Sequence, residues 1–174
     1  EPATPEAKRY RRSFMSRMIQ TTPAMKGYYS AIKNALLAFK KVNARTSWKC
    51  ETFKQGRKTL CRINLVGKNL CISLALSPEA YQGKRFIKDV SKRSADTPLL
   101  VKVKSEQSMN LALRLIAAMA EQCSLISQER AYEDFCLPYE DDEALLAKGL
   151  IKEVTPGGGD VDTSSDQPQE PVEE

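Results

Sequence analysis

The chain has 174 residues, of which 41% are apolar, and its formal net charge is +5. This length fits one domain with a hydrophobic core of its own. No apolar run approaches the roughly 20 residues that a membrane-spanning helix needs, and the N-terminus lacks the apolar region of a secretory signal, so we expect a cytoplasmic protein. The chain begins at Glu1 rather than at an initiator Met, which fits a processed chain or a piece of a longer protein.

Five cysteines are scattered along the chain without a Cys-x-x-Cys pair: Cys50, Cys61, Cys71, Cys123 and Cys136. This odd number fits buried, reduced packing thiols better than a disulfide framework or a zinc site, although metal or redox use stays open. The chain has no histidine, so a serine or cysteine nucleophile would lack its usual base. We expect no cofactor, no metal site and no catalytic residue, and an enzyme would need Lys, Tyr or paired carboxylates instead.

Charge is distributed unevenly along the chain. Residues 1–104 carry 23 Lys and Arg against 6 Asp and Glu, whereas residues 105–154 carry 4 against 10, and residues 155–174 carry none against 6. A basic body with an acidic end attracts a polyanion, or folds its acidic tail back onto the basic face as a competitor.

The first part of the chain has helical periodicity. Residues 1–8 are rich in Pro and Glu and predict a disordered arm. Residues 9–20 place apolar side chains at helical spacing, which predicts a short amphipathic helix. A longer helix is predicted over residues 22–41, with Thr22 as its N-cap and Pro23 at its first position.

The apolar period then changes from 3.6 to 2, which predicts three strands. The first covers residues 48–53 and is followed by a turn at residues 54–57, and the second covers residues 61–65. The pair Gly67-Lys68 forms a two-residue loop with Gly first, as a type II′ turn requires, and residues 70–76 form the third strand of a meander.

The second half adds a weak element at residues 86–90, a strand at 98–104 and helices at 105–124 and 141–148. Residues 155–174 predict a disordered acidic tail or linker, because they offer almost no apolar side chain to bury. Residues 9–154 therefore predict a single α+β domain. We expect an antiparallel β-meander sheet of four to six strands, with the N-terminal and C-terminal helices packed on one face.

Short motifs resemble catalytic or phosphate-binding signatures but lack their companions. Ser30 and Lys33 form an S-x-x-K pair within a predicted helix, without the S-D-N and K-T-G motifs that accompany it in penicillin-recognising enzymes. The Gly-Lys pairs at 67–68 and 83–84 lack the earlier glycine of a phosphate-binding loop. The acids at 140–143 lack the spacing of a calcium loop. We interpret these as helix surface, turns and a helix start.

Basic residues on the first predicted helix and along the meander form the candidate polyanion-binding site. They are Arg9, Arg11, Arg12, Arg17, Lys49, Lys54, Arg57, Lys58, Arg62 and Lys68. Cations on turns and strands reach backbone phosphates, and Tyr10, Tyr28 or Tyr29 would stack on bases if exposed. The alternative is a solubilising face on a sheet whose other side is core.

The predicted elements follow one another in a recognisable order: an N-terminal helix, a strand with an aromatic residue, the segments GKNLCISLALSP (67–78) and TPLLVKVKS (97–105), and a closing helix. In this order, residues 48–121 resemble MmcQ/YjbR-like and YdhG-like domains at a distance. The whole chain resembles a bacterial domain family that carries SFMSRMIQ, GYYSAIKN and SWKCETF. The resemblance implies a fold related to the frataxin-like α-β sandwich. It also implies DNA binding, although the Trp-Asn pair that YjbR-like domains carry near the late strand is absent.

The residues leave three functional hypotheses. The first is a non-enzymatic binding module whose basic surface contacts DNA, RNA or another polyanion. The second is a domain that recruits a protein partner within a longer polypeptide, with the tail as linker. The third is a His-independent enzyme with Lys or Tyr as its base, which a deep pocket that holds Lys49, Glu51 or Tyr81 with a shifted pKa would support.

Overall fold

The computed structural model describes residues 9–154 as helices layered on an antiparallel sheet. The elements are β1 (Arg9–Arg12), α1 (Phe14–Gln20), α2 (Pro23–Leu37), β2 (Val42–Thr46), β3 (Glu51–Gln55), β4 (Lys58–Val66), β5 (Asn69–Leu74), β6 (Ile87–Asp89), β7 (Leu99–Val103), α3 (Glu106–Gln122), α4 (Asp142–Ala147) and β8 (Ile151–Val154). The predicted arm 1–8 and tail 155–174 lie outside the described residues. No helix within residues 9–154 is long and apolar enough to cross a membrane.

Six strands form the main sheet in the order β2-β3-β4-β5-β7-β6, with antiparallel pairing throughout. Strands β3, β4 and β5 form the predicted three-stranded meander, which β2 extends by one strand, and the weak element predicted at residues 86–90 is the edge strand β6. At the β4–β5 turn Gly67 has a φ of 61° while Lys68 keeps a negative φ, which are the signs of the predicted type II′ turn.

Helices α2 and α3 pack against each other and against one face of this sheet. The register aligns Ile63, Ile72 and Val101 across β4, β5 and β7 on that face, and all three are fully buried. Each such side chain contributes about 1.5–3 kcal/mol relative to leaving it exposed. The predicted α+β fold, a meander sheet with helices on one face, is confirmed.

The opposite face of the sheet carries polar and basic side chains, and we call it the open face. Its members alternate with the buried residues of each strand: Thr52, Arg62, Asn64, Cys71, Ser73, Lys88, Leu100 and Lys102. All of them except Cys71 are half-buried or exposed. This face is therefore available to a ligand, whereas the other face is committed to the core.

Residues 9–12 form a strand rather than the predicted start of a helix. Strand β1 pairs with β8, from Arg9 opposite Val154 to Arg12 opposite Ile151. Ser13 begins α1, since its side chain accepts a hydrogen bond from the Ser16 amide at 3.1 Å. Local periodicity missed the strand because its partner lies at the other end of the described chain.

The strand predicted at residues 48–53 is also displaced. The chain forms β2 and β3 on either side of a tight turn, in which the Ser47 amide donates to the Cys50 carbonyl at 2.8 Å. Trp48 and Lys49 therefore lie in a turn rather than in a strand. Edge strand β2 escaped prediction because its last four residues are exposed, so it shows no apolar alternation.

Helix α2 begins as predicted and ends earlier than predicted. The Thr22 side chain accepts a hydrogen bond from the Met25 amide at 3.3 Å, and Pro23 occupies the first turn. The predicted end at residue 41 is wrong, because the helix stops at Leu37 and Lys41 has a φ of 66°. Such a left-handed residue cannot continue an α-helix, so the chain turns there into β2.

The thiols are only partly the buried packing groups that the sequence predicts. Cys61 and Cys71 are buried, but Cys136 is exposed, which corrects the prediction for that residue. All five are free thiols. Within residues 9–154 no three Cys, Asp or Glu side chains gather as a group that could hold a metal ion.

A small second core holds β1, α1, α4 and β8 together. It consists of Ile19, Leu145 and Ile151, with Tyr10 and Leu150 packed against it. Because α1 also contributes to the main core, this unit is fixed beside the end of β4.

Candidate functional site

A cleft of about 470 Å³ lies where β1 and α1 meet the β2–β3 turn and the open face of β4. We call it the basic cleft. It is lined by Tyr10, Arg11, Arg12, Arg17, Trp48, Lys49 and Asn64. Four of these described lining residues are cations and none is a carboxylate, so the cleft attracts anions.

Main-chain hydrogen bonds set the walls of the basic cleft. The Phe14 amide donates to the Trp48 carbonyl at 2.7 Å, which joins the start of α1 to the β2–β3 turn. The Ser13 amide donates to the Leu150 carbonyl at 3.1 Å, which joins the same point to the segment before β8. The cations of β1 and α1 are thereby held opposite Lys49.

Arg17 and Lys49 are the cations of the cleft that the described chain leaves without a counter-charge. The Arg17 guanidinium donates to the carbonyl of Leu65 at 3.2 Å, which orients it across the end of β4. Neither Arg17 nor Lys49 makes an ion pair with a carboxylate of residues 9–154. Both side chains are exposed. An incoming anion can therefore bind them without first breaking an ion pair.

Arg12 is already neutralised. Its guanidinium donates two hydrogen bonds to the Asp142 carboxylate, at 2.9 and 3.1 Å, and a third to Gln20 at 2.6 Å. The hydrogen bond from Arg12, and then that from Gln20, lowers the pKa of Asp142 to about 2. Arg12 therefore anchors the start of α4 to the cleft wall and contributes little net charge.

Two aromatic side chains border the cleft. Trp48 is half-buried, and the Lys152 ammonium lies 5.0 Å from its ring centroid. The Arg12 guanidinium lies 5.9 Å from the Tyr10 centroid. Rings beside cations are the combination that binds phosphate-linked bases by stacking and charge together.

Tyr29 is not available to stack on bases, which the sequence analysis expected of it if it were exposed. It is 2% exposed, and its hydroxyl donates to Glu51 at 2.6 Å inside the core. Burial, and then the nearby Glu51, raises the pKa of Tyr29. Tyr10 lines the cleft and Tyr28 is half-buried against the main core, so Tyr10 alone of the three borders the basic cleft.

The other predicted basic residues do not join this site. Arg57 and Lys68 lie on turns at opposite ends of β4, which are roughly 25 Å apart at about 3.3 Å per residue. Arg62 is neutralised by Asp96 through two hydrogen bonds of 2.8 Å. Arg9, Lys54 and Lys58 are exposed outside the cleft. The predicted continuous basic face is therefore divided, and Arg11, Arg12, Arg17 and Lys49 are the part that converges.

A second cleft, which the sequence reasoning missed, lies at the other side of the open face. It measures about 260 Å³ and is lined by Arg85, Phe86, Ile87, Lys88, Lys102 and Lys104. We call it the edge cleft. The Arg85 guanidinium lies 4.8 Å from the Phe86 ring centroid. The signal was present in β7, where Lys102 alternates with buried valines and so must point away from the core.

The residues considered for catalysis are occupied or separated. The Lys33 ammonium lies 2.8 Å from the buried Glu51 carboxylate, and Ser30 bonds instead to the Tyr132 hydroxyl at 2.9 Å. The S-x-x-K pair is therefore part of the packing around α2. Of the three residues named for an enzyme, Lys49 lines the basic cleft, whereas Glu51 is buried in the core and Tyr81 packs against the main core, so the structure does not bring them into one pocket.

Comparison of the chain with protein-family models, with curated proteins and with solved structures gives no match. The resemblance to MmcQ/YjbR-like domains therefore stays a prediction.

Proposed function

We propose that this domain is a non-enzymatic binding module that holds a phosphate-bearing polyanion in the basic cleft. One observation carries the proposal: Arg17 and Lys49 come from separate elements to one concave surface, and no described carboxylate lines it. Random solubilising charges have no reason to converge in this way. A concave wall also focuses the field of its cations, so an anion is held more strongly there than on a flat surface.

The chemistry of the lining favours phosphate. The Arg17 guanidinium offers several donors in a fixed plane, which match the oxygens of a phosphate better than a single ammonium does. The Asn64 side chain adds an uncharged donor and acceptor to the floor of the cleft.

The aromatic border favours nucleic acid among phosphate-bearing polymers. The half-buried ring of Trp48 and the ring of Tyr10 line the same cleft as the cations, and every base offers a π-face to such rings. A bare polyphosphate would use the cations alone. The recruitment and enzyme hypotheses remain predictions from the sequence.

Binding of a fluorescently labelled oligonucleotide, followed by anisotropy at low salt, tests the proposal. The double variant Arg17→Glu/Lys49→Glu should weaken binding at least about 30-fold, because it reverses two phosphate contacts. Arg57→Glu/Lys58→Glu is the matched control, since it makes the same charge change on an exposed turn far from the cleft. It should weaken binding less than about threefold, because distant exposed charges are screened. Equal losses in the two variants, or no binding by the unmodified chain, would overturn the proposal.

A further inference from the structure

A single row of side chains connects the two clefts across the open face. Asn64 of β4 pairs with Cys71 of β5, and Cys71 pairs with Lys102 of β7. Asn64 lines the basic cleft and Lys102 lines the edge cleft. Neighbouring strands lie about 4.8 Å apart, so the two ends of this row are separated by about 10 Å. The clefts are therefore the two ends of one surface.

The edge cleft has the same composition as the basic cleft. Four of its lining residues are cations, and Phe86 supplies the aromatic ring. None of Arg85, Lys88, Lys102 and Lys104 makes an ion pair with a carboxylate within residues 9–154. Two sites that combine cations with an aromatic ring thus lie on the same face of the sheet.

The middle of the row is the buried thiol of Cys71, whose cross-strand neighbour is Lys102. Burial raises the pKa of the Cys71 thiol, and the nearby Lys102 and Lys88 oppose that rise. The row of Asn64, Cys71 and Lys102 therefore contains no carboxylate between the two clefts.

The loop between β6 and β7 borders the row on one side. Asp96 is bonded to Arg62, the open-face residue next to Asn64 on β4, and the Arg62 guanidinium also donates to Ser94 at 3.0 Å and Thr97 at 3.1 Å. The loop thereby covers Arg62 and cancels its charge. Arg62 is therefore already paired and offers no free cation beside the row.

We infer that one single strand of nucleic acid lies across the open face, with phosphates at Arg17 and Lys49 at one end and at Lys88 and Lys102 at the other. This inference rests on the proposed function and specifies its ligand. A single strand fits because each cleft has a ring for an unpaired base, whereas the bases of a duplex are stacked on one another and cannot reach such rings. A strand whose bases leave the stack rises by at least about 3.4 Å per nucleotide, so a separation of about 10–15 Å corresponds to at most about three to five nucleotides.

The test uses the full chain and labelled oligothymidylates from about two to about twelve nucleotides long, which cover the range of site sizes of single-strand modules. Affinity should rise steeply up to about five nucleotides and then level off. The slope of log affinity against log salt should steepen from about −0.7 for the dinucleotide, which has one internucleotide phosphate, to about −2.8 for strands of about five nucleotides or more, at about 0.7 per phosphate contact for roughly one and four contacts. Affinity that does not depend on length beyond two nucleotides would contradict the inference.

The variant Lys88→Glu/Lys102→Glu separates the inference from the proposed function. It should weaken binding of the long strand about tenfold or more and leave the dinucleotide unchanged, because only the long strand reaches the edge cleft. Lys88→Gln/Lys102→Gln should give a smaller loss in the same direction, and circular dichroism of both variants reports the fold. If neither variant changes the affinity of the long strand while Arg17→Glu/Lys49→Glu still weakens it, the contact with the edge cleft is wrong and the proposed function of the basic cleft is unaffected. If no strand binds the unmodified chain, the proposed function itself fails.

Two further ligands identify the chemistry. Duplex DNA of equal length should bind at least about tenfold more weakly than the single strand, because its bases cannot reach Trp48 and Phe86. Inorganic polyphosphate of equal charge should also bind more weakly, because it has no base to stack. Tighter binding of either ligand than of the single strand would overturn the assignment to single-stranded nucleic acid.

Discussion

The amide of Phe14 donates a 2.7 Å hydrogen bond to the carbonyl of Trp48. This bond joins the start of α1 to a turn 34 positions later in the sequence. The side chains of both residues also take part in other contacts. The Phe14 side chain is fully buried in the main core, while Trp48 borders the basic cleft. Packing of the core and the shape of the cleft are therefore coupled at this point.

Phe14→Ala tests this coupling. The substitution removes a fully buried ring that meets Tyr29 edge to face, with centroids 6.1 Å apart. We expect a loss of about 3–5 kcal/mol in the free energy of unfolding, measured by urea denaturation. Phe14→Leu should lose less than half as much, because it keeps most of the buried volume. Equal losses for the two variants would contradict the packing role of the ring.

The buried pair of Lys33 and Glu51 should be costly to break on one side. Glu51 is 1% exposed and also accepts hydrogen bonds from Tyr29 and Thr46. Lys33→Met leaves that carboxylate without its counter-charge, so we expect about 3 kcal/mol of destabilisation. The double variant Lys33→Met/Glu51→Leu should recover part of the loss in urea denaturation. A double variant as unstable as the sum of the two single variants would show that the charges are not coupled.

The pair of Arg12 and Asp142 gives stability a pH dependence. The pKa of Asp142 is lowered to about 2, from 3.8, so the folded state binds this proton less readily than the unfolded state does. The stabilisation is fully present above pH 3.8 and disappears as pH falls towards 2. Because both side chains are about a third or more exposed, solvent screening limits the contribution to about 0.5–1 kcal/mol.

Asp142→Asn should remove this dependence from the low-pH part of the urea midpoint curve. Asp141→Asn is the neighbouring control, because Asn keeps a side-chain oxygen that can cap α4, where the Asp141 side chain accepts from the Ala144 amide at 2.9 Å. The control should change stability at neutral pH little and keep the dependence contributed by Asp142. A curve that is unchanged by Asp142→Asn would exclude the proposed role of the pair.

Truncation after Val154 should strengthen binding of the polyanion. The removed residues 155–174 carry six carboxylates and no Lys or Arg, so their removal raises the net charge of the chain from +5 to +11. We expect an affinity several-fold higher at low salt, with the difference fading at high salt. A full-length chain with these six acids replaced by Asn and Gln should behave like the truncated chain. If only truncation has an effect, charge is not the cause.

Much of the fold could be predicted because local rules agree with the tertiary structure. The Thr22 cap, the Gly67 turn and the alternation in β5 and β7 each act within a few residues, so the sequence contains the whole signal. Strand β1 could not be predicted in this way, since its partner Val154 is 145 positions from Arg9. The two strands contact only each other as a sheet, and short polar strands of this kind have no period of their own.

The site was predicted by residue type but not by location. Arg17 and Lys49 were recognisable as cations, yet their convergence depends on the hydrogen bond from Phe14 to Trp48, which no local pattern encodes. A count of charges also could not show that Asp142 and Asp96 would each form an ion pair with an arginine of the predicted site. Lys102 could have been found, because a lysine that alternates with buried residues of a central strand must lie on the opposite face.

The fluorescence of Trp48 during titration with oligothymidylate shows whether a nucleic-acid strand enters the basic cleft. Trp48 is the only tryptophan of the chain and borders the basic cleft, so its emission reports on this site alone. The proposal predicts saturable quenching that is lost in Arg17→Glu/Lys49→Glu and retained in Arg57→Glu/Lys58→Glu. Binding detected by anisotropy while Trp48 emission stays constant would place the ligand elsewhere and contradict the account.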